Sequence, residues 1–151
     1  MRPRLRATPR TAEPLPATAK LALAAEIVTT YLRARRLLRR RGLPGALAVL
    51  RRASLPDAEG GAGDARLAGV RLGRAVTRTL RLVPADSRCL MRSLVLTGLL
   101  ARRGIDSSLV IGVRPEGEFG AHAWVEHDGR PLLPSGATPD GGATFERLVA
   151  V

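Results

Sequence analysis

Cys89 is the only cysteine among the 151 residues. It stands in Ser87-Arg88-Cys89-Leu90-Met91-Arg92-Ser93, where a proline-bearing loop gives way to an apolar-periodic helix. A thiol at a helix start meets backbone N–H groups without intrahelical partners, and these favour the thiolate, the form in which sulfur is a nucleophile. Arg88 and Arg92 add positive charge, so the sequence predicts a Cys89 pKa below the usual value of about 8.5. The competing reading of a free cysteine is a small buried hydrophobe. A base stands downstream: His122, one of two histidines, lies in the strand-like alternation Ala121-His122-Ala123-Trp124-Val125-Glu126. The pair points to a thiol hydrolase in which the imidazole takes the thiol proton and returns it to a leaving group.

Such a histidine ordinarily leans on a third group that fixes its tautomer and ring orientation. Asp128-Gly129 is a two-residue hairpin signal, and pairing the strands around it puts Ser135 opposite His122. A neutral hydroxyl can accept from the imidazole but stabilises an imidazolium less than a carboxylate does, and Pro134 just before it ends or bulges the strand. Three acids are alternatives. Glu126 shares the His122 face but has a long reach along the strand, Asp140 lies in the loop 136–142, and Asp128 is more simply a turn residue. The chain contains no asparagine and no glutamine, so no amide can orient the ring and no glutamine can build an oxyanion hole. The Cys89 backbone N–H is the first candidate donor and the Trp124 indole the second, although core packing explains Trp124 better. His127 falls on the opposite face of the strand from His122, which leaves no zinc constellation; no metal and no cofactor are expected.

The elements that carry these residues follow from periodicity and punctuation. Residues 1–16, rich in arginine and proline without an apolar period, predict a disordered or loosely attached basic arm. Residues 17–41 predict a helix with Leu21, Ala24, Ile27, Val28, Tyr31 and Leu32 as its stripe and Gly42 as its stop. A short helix over 43–52 follows, then a Pro/Gly/acid loop. Asp64 opens a third helix to about Leu82, with Leu67, Val70, Ala75 and Val76 inward. Asp86 or Ser87 caps the Cys89 helix, which runs to Arg103 and stops at Gly104, with Leu90, Leu94, Leu96 and Leu100 behind it. Strands over 107–113, 119–126 and 130–133 predict a small antiparallel sheet. The expectation is one domain over 17–151, with a basic helical part (17–83) and a catalytic core (84–151).

Residues 1–88 carry 19 basic and 6 acidic side chains and residues 89–151 carry 6 and 7, so the whole excess behind the net charge of +12 precedes Cys89. Every basic residue except Lys20 is arginine. That excess reads either as solvated cations or as a docking face for an acidic partner. A basic nucleic-acid-binding module is an alternative function, but aromatics make up only 3% of the chain and stacking platforms are correspondingly scarce. No apolar stretch approaches the roughly 18 residues that a membrane span requires. One cysteine permits no internal disulfide, which fits a cytoplasmic protein.

Several ordered blocks together carry a resemblance: Cys89-Leu-Met-Arg-Ser-Leu94, Leu99-Leu-Ala-Arg-Arg-Gly104-Ile105, Leu109-Val-Ile-Gly-Val113, and Phe119-Gly-Ala-His122-Ala-Trp-Val-Glu126-His-Asp-Gly129, closed by Phe145-Glu-Arg-Leu-Val149. Over 85–133 the chain resembles the transglutaminase-like, papain-like leader peptidases of lasso-peptide biosynthesis. The resemblance implies an α+β papain/transglutaminase-like fold, with N-terminal helices and a Cys-bearing helix packed on a small antiparallel sheet. It implies a cysteine peptidase that removes the leader from a ribosomally made lasso precursor peptide, with Cys89 as nucleophile and His122 as base. The implied partners are the precursor leader peptide, a separate leader-recognition protein and an ATP-dependent macrocyclase; the chain is then the protease half of a split system, binding neither nucleic acid nor membrane. The family's aspartate falls near Pro134 or Ser135, where this chain has no acid. Ser135 therefore also favours an alternative, a catalytically weakened scaffold protein in the same pathway.

Overall fold

The computed structural model describes residues 16–52, 62–83, 88–114, 120–133 and 145–150. The basic arm, both candidate caps Asp86 and Ser87, and the loop 134–144 lie outside the described residues. Three helices, α1 (Ala17–Arg51), α2 (Ala62–Leu80) and α3 (Arg88–Ala101), precede a four-stranded sheet of β1 (Ser108–Val113), β2 (Ala121–His127), β3 (Arg130–Pro131) and β4 (Glu146–Ala150). The sheet is antiparallel throughout, in the order β3-β2-β1-β4. This is an α+β fold in which α3, the Cys89 helix, packs on a small sheet.

The predicted stop at Gly42 and the short helix beyond it form a break inside one long element. Gly42 takes φ 65° and ψ −177°, and Pro44, which has no N–H to donate, sits in the first turn of the renewed helix where that loss costs least. The buried face of α1 differs from the predicted stripe. Ile27, Thr30, Tyr31 and Ala34 are buried, whereas Leu21 is 71% exposed and Val28 and Leu32 also face solvent. The true seam runs one position round the helix and admits Thr30, a residue that apolarity alone passes over. On α2 the inward face is Leu72, Val76 and Leu80; Leu67, predicted inward, is 50% exposed. Among the described residues no helix is long and apolar enough to cross a membrane.

α3 is the centre of the core. Leu94, Val95, Leu99 and Leu100 are fully buried against α1 residues Ile27, Leu47 and Leu50 on one side and the sheet residues Leu109 and Val125 on the other. The helix stops at Gly104 as predicted: Gly104 N–H donates to Ala101 O and Ile105 N–H to Leu100 O, with Gly104 at φ 66°. That pattern satisfies the last carbonyls through a left-handed residue. Arg103 then ties the end of α3 back to α1 through a two-pronged contact with Glu26, at 3.1 and 2.7 Å.

Two core positions are chemically mismatched among the described residues, Thr30 in α1 and Thr97 in α3. Thr97 is buried in α3, and its hydroxyl finds no hydrogen-bond partner among the described residues. Thr97→Val keeps the shape and removes an unsatisfied polar atom, so we expect urea denaturation to show a gain of about 1 kcal/mol in unfolding free energy. A loss of stability would show that the hydroxyl is satisfied.

The hairpin register matches the sequence expectation. Asp128 and Gly129 take φ 50° and 70°, as the favoured two-residue turn requires, and Glu126 pairs with Pro131 and His127 with Arg130. β3 is shorter than the predicted 130–133. Leu132 still donates its N–H to Val125 O, and beyond that bond the chain turns so that Leu132 and Leu133 both pack against α2, over the notch made by Gly69 and Gly73. A Cβ at Gly69 would lie 3.0 Å from Leu132, and one at Gly73 2.9 Å from Leu133. In a continuing strand these two leucines would point to opposite faces.

Candidate active site

Cys89 lies in the first turn of α3, held by the buried residues Met91, Leu94 and Leu96 that follow it. α3 packs on the inner face of the sheet, where Leu109, Ala123 and Val125 point. His122, Trp124 and Glu126 stand on the outer face, as alternation predicts. The thiol and the imidazole therefore start from opposite sides of the sheet and meet round its edge. Among the described residues no strand pairs with that edge beyond β3. Leu132 N–H donates to Val125 O at 3.0 Å, so the backbone groups of Val125, and by alternation those of Ala123, face the β3 side. At that level the Ala123 N–H is hydrogen-bonded to the Cys89 sulfur.

The Cys89 pKa is lowered from the ordinary thiol range to about 7, chiefly by a hydrogen bond with the His122 side chain. Partial burial works the other way, and the Ala123 N–H, the charge on His122 and the Leu90 N–H add smaller downward contributions in that order. The sequence expected first-turn amides and flanking arginines to dominate. The effect comes mainly from His122, with the edge-strand amide of Ala123 ahead of the first-turn amide of Leu90.

Behind His122 the outer face carries a connected set of side chains. The Trp124 ring stacks on the imidazole at a centroid distance of 6.1 Å and an interplanar angle of 17°. Its Nε1–H donates to Glu126 Oε1 at 2.8 Å. Glu126, only 5% exposed, also accepts from Arg147 Nη2 at 2.7 Å on Oε1 and 2.6 Å on Oε2. A buried carboxylate is tolerated only when its oxygens are paired in this way. Phe145, just before β4, lies 5.3 Å from the imidazole, and Arg114 sits over the Phe145 ring at 5.7 Å.

A break in the β1–β4 register aims these C-terminal side chains at the site. Ile111 pairs with Val149, but Gly112 pairs with Arg147, so Leu148 is an extra residue in β4. Regular pairing would place Leu148 opposite Gly112 and turn Arg147 to the inner face. The bulge reverses the parity and brings Arg147 and Phe145 onto the face of His122, a common use of bulges beside functional sites. Gly112, opposite His122 in β1, supplies the space for the indole: a Cβ there would lie 2.9 Å from two Trp124 ring carbons and 2.8 Å from the Glu146 carbonyl oxygen.

Cys89 and His122 line one solvent-open pocket with apolar walls from Val76, Leu96, Val125 and Leu133, and Arg92 is also part of its lining. A thiol of lowered pKa beside an imidazole, in a pocket that can seat a peptide side chain, is equipped for acyl transfer. Ser135 and Asp140 lie outside the described residues. Asp128 is the hairpin residue it was expected to be, with its carboxylate 3.5 Å from His127 Nε2. His127 is remote from the pair, and its Nδ1 is 2.7 Å from the Asp106 carbonyl oxygen. The second oxyanion candidate is corrected: the Trp124 N–H is committed to Glu126 and not to the pocket. Sequence reading missed Ala123, Gly112 and Arg147 and gave Phe145 no role. Only the bulge parity links the last two to His122, and parity across a bulge leaves no mark in composition or period.

A family model described as the transglutaminase-like superfamily matches residues 27–150. No curated protein and no solved structure matches the chain.

Proposed function

The chain belongs to the transglutaminase-like superfamily, and from that premise we propose that it is a cysteine peptidase whose nucleophile is Cys89 and whose base is His122. The observation that carries this reading is the hydrogen bond between the two side chains at the mouth of a pocket, with the thiol pKa brought to about 7. His122 takes the thiol proton, and the Cys89 sulfur attacks the carbonyl carbon of a peptide bond. The tetrahedral intermediate collapses with cleavage of the C–N bond, and the amine leaves with the proton from His122. Water, deprotonated by His122, then attacks the thioester, which releases a carboxylate and restores the thiol. The Cys89 backbone N–H, in the first turn of α3 and without an intrahelical partner, is the proposed oxyanion donor.

The finer reading is removal of the leader from a ribosomally made lasso precursor peptide in the cytoplasm. The acyl fragment is then the leader, and the freed amine belongs to the core peptide that an ATP-dependent macrocyclase closes. A separate recognition protein delivers the leader. The ordered sequence blocks around Cys89 and His122 support this reading. Because Cys89 is the only cysteine, iodoacetamide reports on it alone. Incubated with precursor and recognition protein, the chain is expected to release leader and core, detected by mass spectrometry, and to stop after one equivalent of alkylation. Cleavage that continues in the fully alkylated protein would sink the proposal. In the same assay Ser135→Ala and Asp140→Ala identify which of the two, if either, assists His122, through a fall in kcat of about ten-fold or more.

A further inference from the structure

We propose that Glu126 is a positioning residue for His122, acting through Trp124: anchored by Arg147, its carboxylate locks the indole, and Trp124 and Phe145 together hold the imidazole at Cys89. This deepens the peptidase reading and rests on it only for the identity of the substrate.

The register supplies the geometry. His122, Gly112 and Arg147 form one row across β2, β1 and β4. Trp124 and Val110 belong to the next row on one side. Phe145 precedes Glu146, the partner of Val113, which puts it beyond that row on the other side. The imidazole is thus bracketed along the strand direction by two aromatic rings. Aromatic contacts of this kind attract beyond the area they bury, which biases a ring that can otherwise turn about its side-chain bonds.

A stack orients its neighbour only if the stacking ring is itself fixed. Trp124 meets that condition twice. Gly112 gives its ring a slot that no other residue would leave open, and Glu126 holds its Nε1–H at 2.8 Å. A flipped indole would lose its donor contact and leave a buried carboxylate oxygen short of one bond, a cost that selects a single orientation. Among the described residues the charged groups facing this assembly are Glu126 on β2, Arg147 on β4, Arg114 at the end of β1 and Arg92 on α3. Arg147 neutralises Glu126, so the carboxylate acts on the indole by geometry and not as a bare charge on the imidazole.

The test uses two readouts that need no peptide. The first is the pH dependence of Cys89 alkylation by iodoacetamide. The second is the fluorescence of Trp124, the only tryptophan in the chain. In Glu126→Ala we expect the midpoint of alkylation to rise by at least about half a unit, since a loosened imidazole hydrogen-bonds the thiolate less well. Trp124 emission should move to longer wavelength. Glu126→Gln keeps an acceptor for the indole and is expected to restore both readouts most of the way. In cleavage assays the alanine variant is expected to lose about ten-fold in kcat with little change in KM. Trp124→Phe leaves the Glu126–Arg147 pair in place and should raise the alkylation midpoint as well, which keeps the test open if Glu126→Ala does not fold. An unchanged midpoint in Trp124→Phe, or in folded Glu126→Ala, overturns the proposal. If these variants alter Cys89 reactivity while no peptide is ever cut, the positioning role stands and the peptidase reading falls.

Discussion

Cys89→Ala, His122→Ala and the double variant are expected to be about equally inactive, each at least about 10³-fold below wild type in kcat. The equality matters more than the size. If thiol and imidazole act as one unit, removing the second after the first costs almost nothing, so a double-mutant cycle shows near-complete coupling. Losses that multiply would mean that the two side chains contribute independently, contrary to the mechanism. His122→Ala makes a second claim through the thiol itself. Cys89 has a pKa of about 7 chiefly because of its hydrogen bond with His122. Its lowered pKa makes the thiolate the main form above pH 7 and leaves it a shrinking fraction below. Without His122 the alkylation midpoint should move up toward the ordinary thiol range near 8.5, since the Ala123 and Leu90 amides alone oppose the effect of burial. A midpoint that stays near 7 in His122→Ala would transfer the credit to the helix terminus.

Gly112→Ala is expected to be the most damaging single methyl group on the sheet. The new Cβ would lie 2.9 Å from the Trp124 ring and 2.8 Å from the Glu146 carbonyl oxygen. The indole can yield by turning, but the second neighbour is backbone, so relief requires β4 to separate from β1. Overpacking of this kind costs about 1–3 kcal/mol of stability. Either way of yielding disturbs the surroundings of His122, and we expect kcat to fall about ten- to a hundred-fold in protein that is still folded. Circular dichroism and urea melts separate the two effects. Wild-type activity and stability in Gly112→Ala would show that the indole does not occupy its slot in solution.

Sequence logic worked here wherever a residue announces its own backbone geometry. Asp128-Gly129 fixed the hairpin and its pairing, Gly104 the end of α3, and period-two alternation the faces of β2. It failed where tertiary packing chose between near-equivalent options. The α1 stripe turned by one position because Thr30 is accepted into the core and Leu21, Val28 and Leu32 are not needed there. β3 ended early because two leucines gain more against the α2 glycines than from continuing the ladder. The surroundings of His122 were half legible. Alternation puts Glu126 on the same face, at a long reach along the strand. Strand spacing is silent about an indole in between. Phe145 and Arg147 could not be reached at all, because the extra residue Leu148 reverses the inside-outside pattern that a strand otherwise declares.

Among the described residues β4 lies at the margin of the sheet, hydrogen-bonded to β1 on one side only, and all five of its residues are exposed. Segments of this kind open locally at a free-energy cost well below that of global unfolding. When this one opens it removes Phe145 from His122 and Arg147 from Glu126 together, so the proposed catalytic competence is tied to an exposed edge strand. Warming should therefore silence the proposed activity while the helices are still intact, and amide exchange in 146–150 should track the temperature dependence of turnover more closely than exchange in α3. The last strand then behaves as a thermal fuse, and a partner that clasps its free edge would raise activity without touching the substrate.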